Sequence, residues 1–152
     1  MRPLVIYFTR TNNTTPVAQA VAAQLDADLI RVDEISGAEL QRQMQGRTLI
    51  ALGTGVYNSR PAKQILRLIA KVPKGAKLFF FFTSGLTAAF LLDWYQRPIR
   101  KLARRHGVDL AGIWRCPGHD KHPAFKWANL HVDRPSPQDL DAVKAAVAVL
   151  MR

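Results

Sequence analysis

Cysteine is almost missing from this chain: Cys116 is the single one in 152 residues, so no internal disulfide can form and no thiolate-rich zinc site can be built. No apolar run reaches the roughly 18 to 20 residues that a membrane-spanning helix needs, which argues against membrane insertion. Acidic residues are scarce, 11 Asp plus Glu against 22 Lys plus Arg, leaving a formal charge of +11. Such a surface attracts acidic partners, nucleic acid or anionic lipid through a field that salt screens. The G-x-x-x-x-G-K-[ST] loop of triphosphate sites and the G-x-G-x-x-G dinucleotide fingerprint are both absent, and Gly53-Thr54-Gly55 has the wrong continuation for either. Linker-like and low-complexity stretches are lacking too, so a single domain over residues 1–152 is expected. The opening Met1-Arg2-Pro3 and the short apolar run ending at Phe8 lack the length and the small-residue cleavage site of a secretory signal; a cytoplasmic protein is the expectation.

An apolar share of 48% is ample for a core. Five apolar runs predict strands at Leu4 to Phe8, Asp28 to Val32, Thr48 to Gly53, Lys77 to Thr83 and Leu110 to Cys116. Runs such as "LVIYF" and "LFFFF" are continuous instead of alternating, as in strands covered on both faces, so the sheet is expected to be parallel. Helical patterns follow at Pro16 to Leu25, Ala38 to Gln45, Ala62 to Lys71, Ala88 to His106 and Pro137 to Met151. Ser136, Pro137 and Asp139 mark the start of the last, and Pro98 predicts a kink or a broken start in the fourth. Five strand-helix repeats make the class α/β, a three-layer sandwich around a five-stranded parallel sheet.

In such sheets a ligand sits beyond the carboxyl ends of the strands. The segments leaving those ends are Thr9 to Thr14, Thr54 to Arg60, Ser84 to Thr87 and Pro117 to Asp120, rich in Thr, Ser, Asn and Gly. The first enters a helix directly, in "YFTRTNNTTPVAQAVA". Two readings stand side by side. Hydroxyls, amides and free N–H groups at a helix start hold an anion, for which a phosphate is the first candidate, and Arg10 adds a charged contact. Alternatively Thr14 or Thr15 caps the helix, with Pro16 in its first turn.

These segments together resemble the flavodoxin superfamily. "YFTRTNNT" is similar to its phosphate loop, [ST]-x-T-G-N-T, with Thr9, Thr11, Asn13 and Thr14 on the matching positions and Asn12 in place of the usual glycine. Asn tolerates the left-handed backbone that this glycine serves. "LGTGVYNSRPAKQI" resembles the second flavin loop, "FTSG" the third, and "CPGHD" with "DRPSPQDLDAVKAAVAVL" the family's ending. The resemblance implies a sheet in the order 2-1-3-4-5 and FMN as cofactor. It implies a site made of Thr9, Arg10, Thr11, Asn12, Asn13 and Thr14; of Thr54, Gly55, Val56, Tyr57 and Asn58; and of Thr83, Ser84 and Gly85. Tyr57 is expected against one face of the isoalloxazine, with Phe90, Trp94 or Trp127 left to cover the other.

The remaining features read more plainly. Phe79 to Phe82 are expected in the core. Cys116, His119 and His122, with His131 as a fourth group, have C-x-x-H-x-x-H spacing, yet so few thiolates do not make a metal site and none is adopted. Cys116 has no evident partner to make it a nucleophile. Arg97, Arg100, Lys101, Arg104 and Arg105 share one helical face opposite Ile99, Leu102, Ala103 and His106: either a solvated face or a docking stripe. Three functions follow. The chain is an FMN protein passing electrons to an acidic redox protein or small acceptor; an FMN-dependent reductase or oxidase with residues 117–133 as a lid that brings His119 or Trp127 to the substrate; or a flavin-free module docking an acidic protein, less favourably a nucleic acid, through its basic helix.

Overall fold

The computed structural model describes residues 1–85, 88–118 and 134–152. In chain order the elements are β1 (Leu4–Phe8), α1 (Thr14–Leu25), β2 (Asp28–Arg31), α2 (Gly37–Met44), β3 (Leu49–Tyr57), β4 (Arg60–Pro61), α3 (Lys63–Leu66), β5 (Lys77–Ser84), α4 (Ala89–Arg105), β6 (Asp109–Pro117) and α5 (Pro137–Ala148). Five strands form one parallel sheet in the order β2-β1-β3-β5-β6, which is 2-1-3-4-5 when the long strands alone are counted. The two-residue β4 folds back antiparallel onto the end of β3, pairing Val56 with Pro61 and Tyr57 with Arg60.

Alternation along the strands sorts the apolar residues into two cores. Leu4, Ile6 and Phe8 of β1 and Leu78, Phe80 and Phe82 of β5 pack with Leu40, Met44, Ile65, Tyr95 and Ile99 from α2, α3 and α4. Val5, Tyr7, Phe79 and Phe81 face the other way, onto Val17, Val21 and Leu25 of α1 and Val143 and Val147 of α5. Phe79 to Phe82 are therefore core, split two and two. At the amino edge of the sheet Arg47, only 7% exposed, donates to the Arg2 and Gln43 carbonyls and to the Asp28 carboxylate, satisfying its buried charge.

The structure corrects several boundaries. β3 runs on through Thr54 to Tyr57 instead of ending at Gly53, because these residues keep their ladder with β5 as far as Gly55 opposite Thr83. The third helix is one α-helical turn, Lys63–Leu66, continued as a tighter 3₁₀ segment over Arg67–Lys71. α4 passes through Pro98 without a break. α5 starts as expected, with a reciprocal capping box between Ser136 and Asp139.

Candidate functional site

The strand order reverses between β1 and β3, and the carboxyl ends of these strands meet there. Thr9 leaves β1 at this point, 2% exposed, and the chain turns through Asn12 at φ +62 before entering α1. The left-handed residue is the one that stands in place of glycine in the loop pattern this turn resembles, and Asn is a non-glycine residue that accepts such a backbone at low cost. Arg31, at the end of β2, donates to the Thr9 carbonyl at 3.1 Å and so fixes the entry to the turn. The helix cap is Asn13, and no side chain caps it: the expectation that Thr14 or Thr15 does so is overturned. Thr14 lies inside the helix, fully buried, with its hydroxyl 2.9 Å from that of Thr83 on β5. That contact ties the first turn to the third. Beside it, the Gly118 N–H donates to the Ser84 carbonyl, and a Cβ on Gly118 would come within 2.9 Å of the Asn13 amide, so a larger residue there would have to displace the Asn13 side chain.

Two hydroxyls at this end, those of Thr9 and Thr15, are buried with no hydrogen-bond partner among the described residues. A buried hydroxyl left unpaired costs about 1–3 kcal/mol, and an orphan of this kind calls for a missing acceptor or donor. Both belong to the turn and the helix start that the phosphate reading singled out.

The second segment is built differently from expectation. Asn58 and Ser59 both have positive φ, +52 and +64, and form the two-residue reverse turn that joins β3 to β4. The Thr54 side chain is spent inside the fold: it donates to the Gly55 carbonyl and accepts the Ala62 N–H at 3.1 Å, clasping the start of α3 to β3. Tyr57 folds back over Gly55, where a Cβ would lie 2.4 Å from the phenol oxygen. Its hydroxyl accepts the Arg10 N–H at 2.7 Å, its ring meets Phe8 edge-on at 6.0 Å, and the Arg10 guanidinium stands 4.8 Å from its centroid. Tyr57 thus bridges the first and second segments. Of the third, Thr83 and Ser84 are buried at the end of β5 and Gly85 is half-buried beyond it.

The site therefore brings together Arg10, Tyr57 and Gly55, and Thr14 and Thr83, through these contacts, with Thr9, Thr11, Asn12 and Asn13 in the same turn and Val56, Asn58, Ser84 and Gly85 on neighbouring strand ends. Phe90 and Trp94 are 74% and 48% exposed on α4 and share a groove with Ser59. Arg97 covers the Trp94 ring at 5.4 Å. Trp127, Thr87 and Asp120 lie outside the described residues, as do His119, His122 and His131 of the metal spacing. Cys116 is buried, its thiol donating to the Pro117 carbonyl and pushed up to about 12 chiefly by burial, which removes it as a thiolate nucleophile. Among the described residues no helix is long and apolar enough to cross a membrane.

Sequence reasoning missed the Arg31 strut and the cluster Arg60, Lys63 and Arg67. The spacing of the last two, four apart after Pro61, was visible, but only the β4 fold-back shows that they face the Arg10 turn.

No family model matches the chain. An uncharacterized protein of Methanocaldococcus jannaschii is 26% identical over 147 residues, covering 95% of this chain and 94% of that one. Among solved structures, a flavodoxin from the domain Archaea superposes with a TM-score of 0.69 at 15% identity, covering 98% of this chain and 95% of that one. General stress protein 14 of Treponema denticola, solved in complex with FMN, gives 0.63 at 13% identity over 97% of this chain and 99% of that one. Strand order, two-sided core and full-length likeness agree: this chain has the flavodoxin-like fold.

Proposed function

We propose that this chain is an FMN-binding protein whose phosphate site is the turn from Thr9 to Thr14, serving electron transfer or a small flavin-dependent oxidoreduction. The observation that carries the reading is the pair of orphaned buried hydroxyls, Thr9 and Thr15, at the one turn whose sequence matches a phosphate loop. The donor set fits a phosphomonoester: hydroxyls, a left-handed Asn12 that bends the turn, and the positive end of α1. FMN, when bound, supplies reversible one- and two-electron chemistry; the chain supplies binding, orientation and electrostatics. In this reading Tyr57 walls one side of the ring site, Gly55 gives the phenol room to lie back, and the Thr14–Thr83 contact holds the first and third turns in register. The electron partner is an acidic redox protein or a small anionic acceptor, matching a chain with twice as many cationic as acidic residues.

FMN added to the protein should lose its fluorescence in a saturable way and raise the melting temperature. If fluorescence and melting temperature both stay where they were, the flavin reading falls.

One observation favours a second reading, a flavin-free docking module. Arg97, Arg100, Lys101, Arg104 and Arg105 are all exposed on α4, and among the described residues only Arg97 has an acidic partner, Asp93. His106, placed by sequence on the inner face, is exposed at the helix end. Binding to an acidic protein or nucleic acid that falls steeply with salt, and that Arg100→Ala with Arg104→Ala weakens, identifies that function. Affinity unchanged in the pair dismisses it.

A further inference from the structure

Beside the proposed phosphate turn lies an open cleft of about 590 Å³ whose walls carry four cations: Arg10, Arg60, Lys63 and Arg67. They come from separate pieces of the chain, namely the turn after β1, the fold-back strand β4, and α3 with the 3₁₀ segment that follows it. Their meeting is thus a product of the fold and not of one basic run. No carboxylate lines the cleft, and none of the four is ion-paired among the described residues, although Arg2, Arg31, Arg42, Arg47, Arg97 and Arg134 all are. Lys63 and Arg67 line the same cleft with no counter-charge between them, so their like charges repel. An uncompensated cluster of this kind costs stability, and an anion removes the cost.

The size and the side chains narrow the occupant. A volume near 590 Å³ falls within the range of small-molecule sites. Three guanidinium forks suit phosphate oxygens, to which they donate in pairs, while the Gln64 amide and the Tyr57 phenol offer uncharged contacts to the rest of a ligand. We propose that this cleft is a second anion site beside the phosphate turn, sharing Arg10 with it, that binds a small molecule bearing a diphosphate or longer phosphate group. Tyr57 lies between the two sites, since its hydroxyl bonds the Arg10 N–H while its side chain also lines the cleft, so a ligand here sits against the wall of the ring site. The cleft does not depend on the flavin reading and is tested apart from it.

Pyrophosphate is the probe, titrated calorimetrically in low and moderate salt, with citrate and a short single-stranded DNA run in parallel and FMN titrated into the same samples. Pyrophosphate should bind saturably at one site, more tightly than citrate and more weakly as salt rises. Arg60→Ala with Arg67→Ala should weaken it about tenfold or more, as loss of two charge-assisted contacts implies, and Arg67→Glu further still. Arg60 and Arg67 are both exposed, so the melting temperature and the FMN titration serve as folding controls for these variants and should not change. Thr14→Val should impair FMN and leave pyrophosphate binding intact. The proposal is overturned if pyrophosphate binds no better than citrate, if the Arg60 and Arg67 variants bind it as the parent does, or if only the DNA binds and Arg100→Ala with Arg104→Ala abolishes that binding.

Discussion

Thr9 and Thr15 show most directly how single atoms carry the functional argument. A hydroxyl buried without a partner is worse for the ligand-free fold than a methyl group of the same shape. Thr9→Val should therefore stabilise the ligand-free protein, by about 1 kcal/mol, while weakening FMN. Thermal melts with and without FMN check both halves; destabilisation without ligand would mean that the hydroxyl already has a partner. The Asp139 carboxylate behaves in the opposite way. It is held below its ordinary range mainly by hydrogen bonds from Arg134, assisted by the Ser136 N–H and hydroxyl. A folded pKa below the unfolded value of about 3.9 gives stability that is present above pH 4 and lost as pH falls through the depressed value. Asp139→Asn should cost about 1 kcal/mol at neutral pH, and the gap to the parent should close on acidification below pH 4. A gap that is constant from pH 7 to pH 3 contradicts the ionic origin.

At the scale of elements, local signals sufficed wherever one element's own residues decide its shape. The capping box at Ser136 and the continuous strands fall in this group, since caps and burial patterns are written within a few residues. The reverse turn after β3 was not legible: Tyr57-Asn58-Ser59-Arg60 has no glycine to announce two positive φ angles, and the fold-back depends on the remote clasp of Thr54 onto Ala62. Nor did the sequence disclose that Tyr57 reaches the Arg10 N–H, 47 residues away, because no spacing rule links side chains across a sheet. The turn's strain gives its own prediction. Ser59→Gly relieves a left-handed serine and should raise stability by about 0.5–1 kcal/mol, net of the added unfolded-state freedom of glycine. A lower denaturation midpoint would show that this turn is not left-handed at Ser59.

Across the whole molecule the two poles of the sheet divide the work. The amino pole is closed by Arg47, whose bonds to Arg2, Gln43 and Asp28 join the start of β1, the end of α2 and the start of β2. The carboxyl pole holds the unpaired hydroxyls, the left-handed Asn12 and the cationic cleft. Arg47→Met should therefore lower stability by about 2–3 kcal/mol, since buried acceptors lose their donor, yet leave FMN affinity in the folded protein unchanged. Urea melts and an FMN titration on the same sample separate the two effects. The central claim, that the turn after β1 grips a phosphoryl group, is tested most directly by comparing FMN with riboflavin in parallel calorimetric titrations. FMN should bind about a hundredfold or more tightly than riboflavin, because each charge-assisted bond to the phosphate contributes about 1.5–3 kcal/mol; equal affinities for the two would contradict the account.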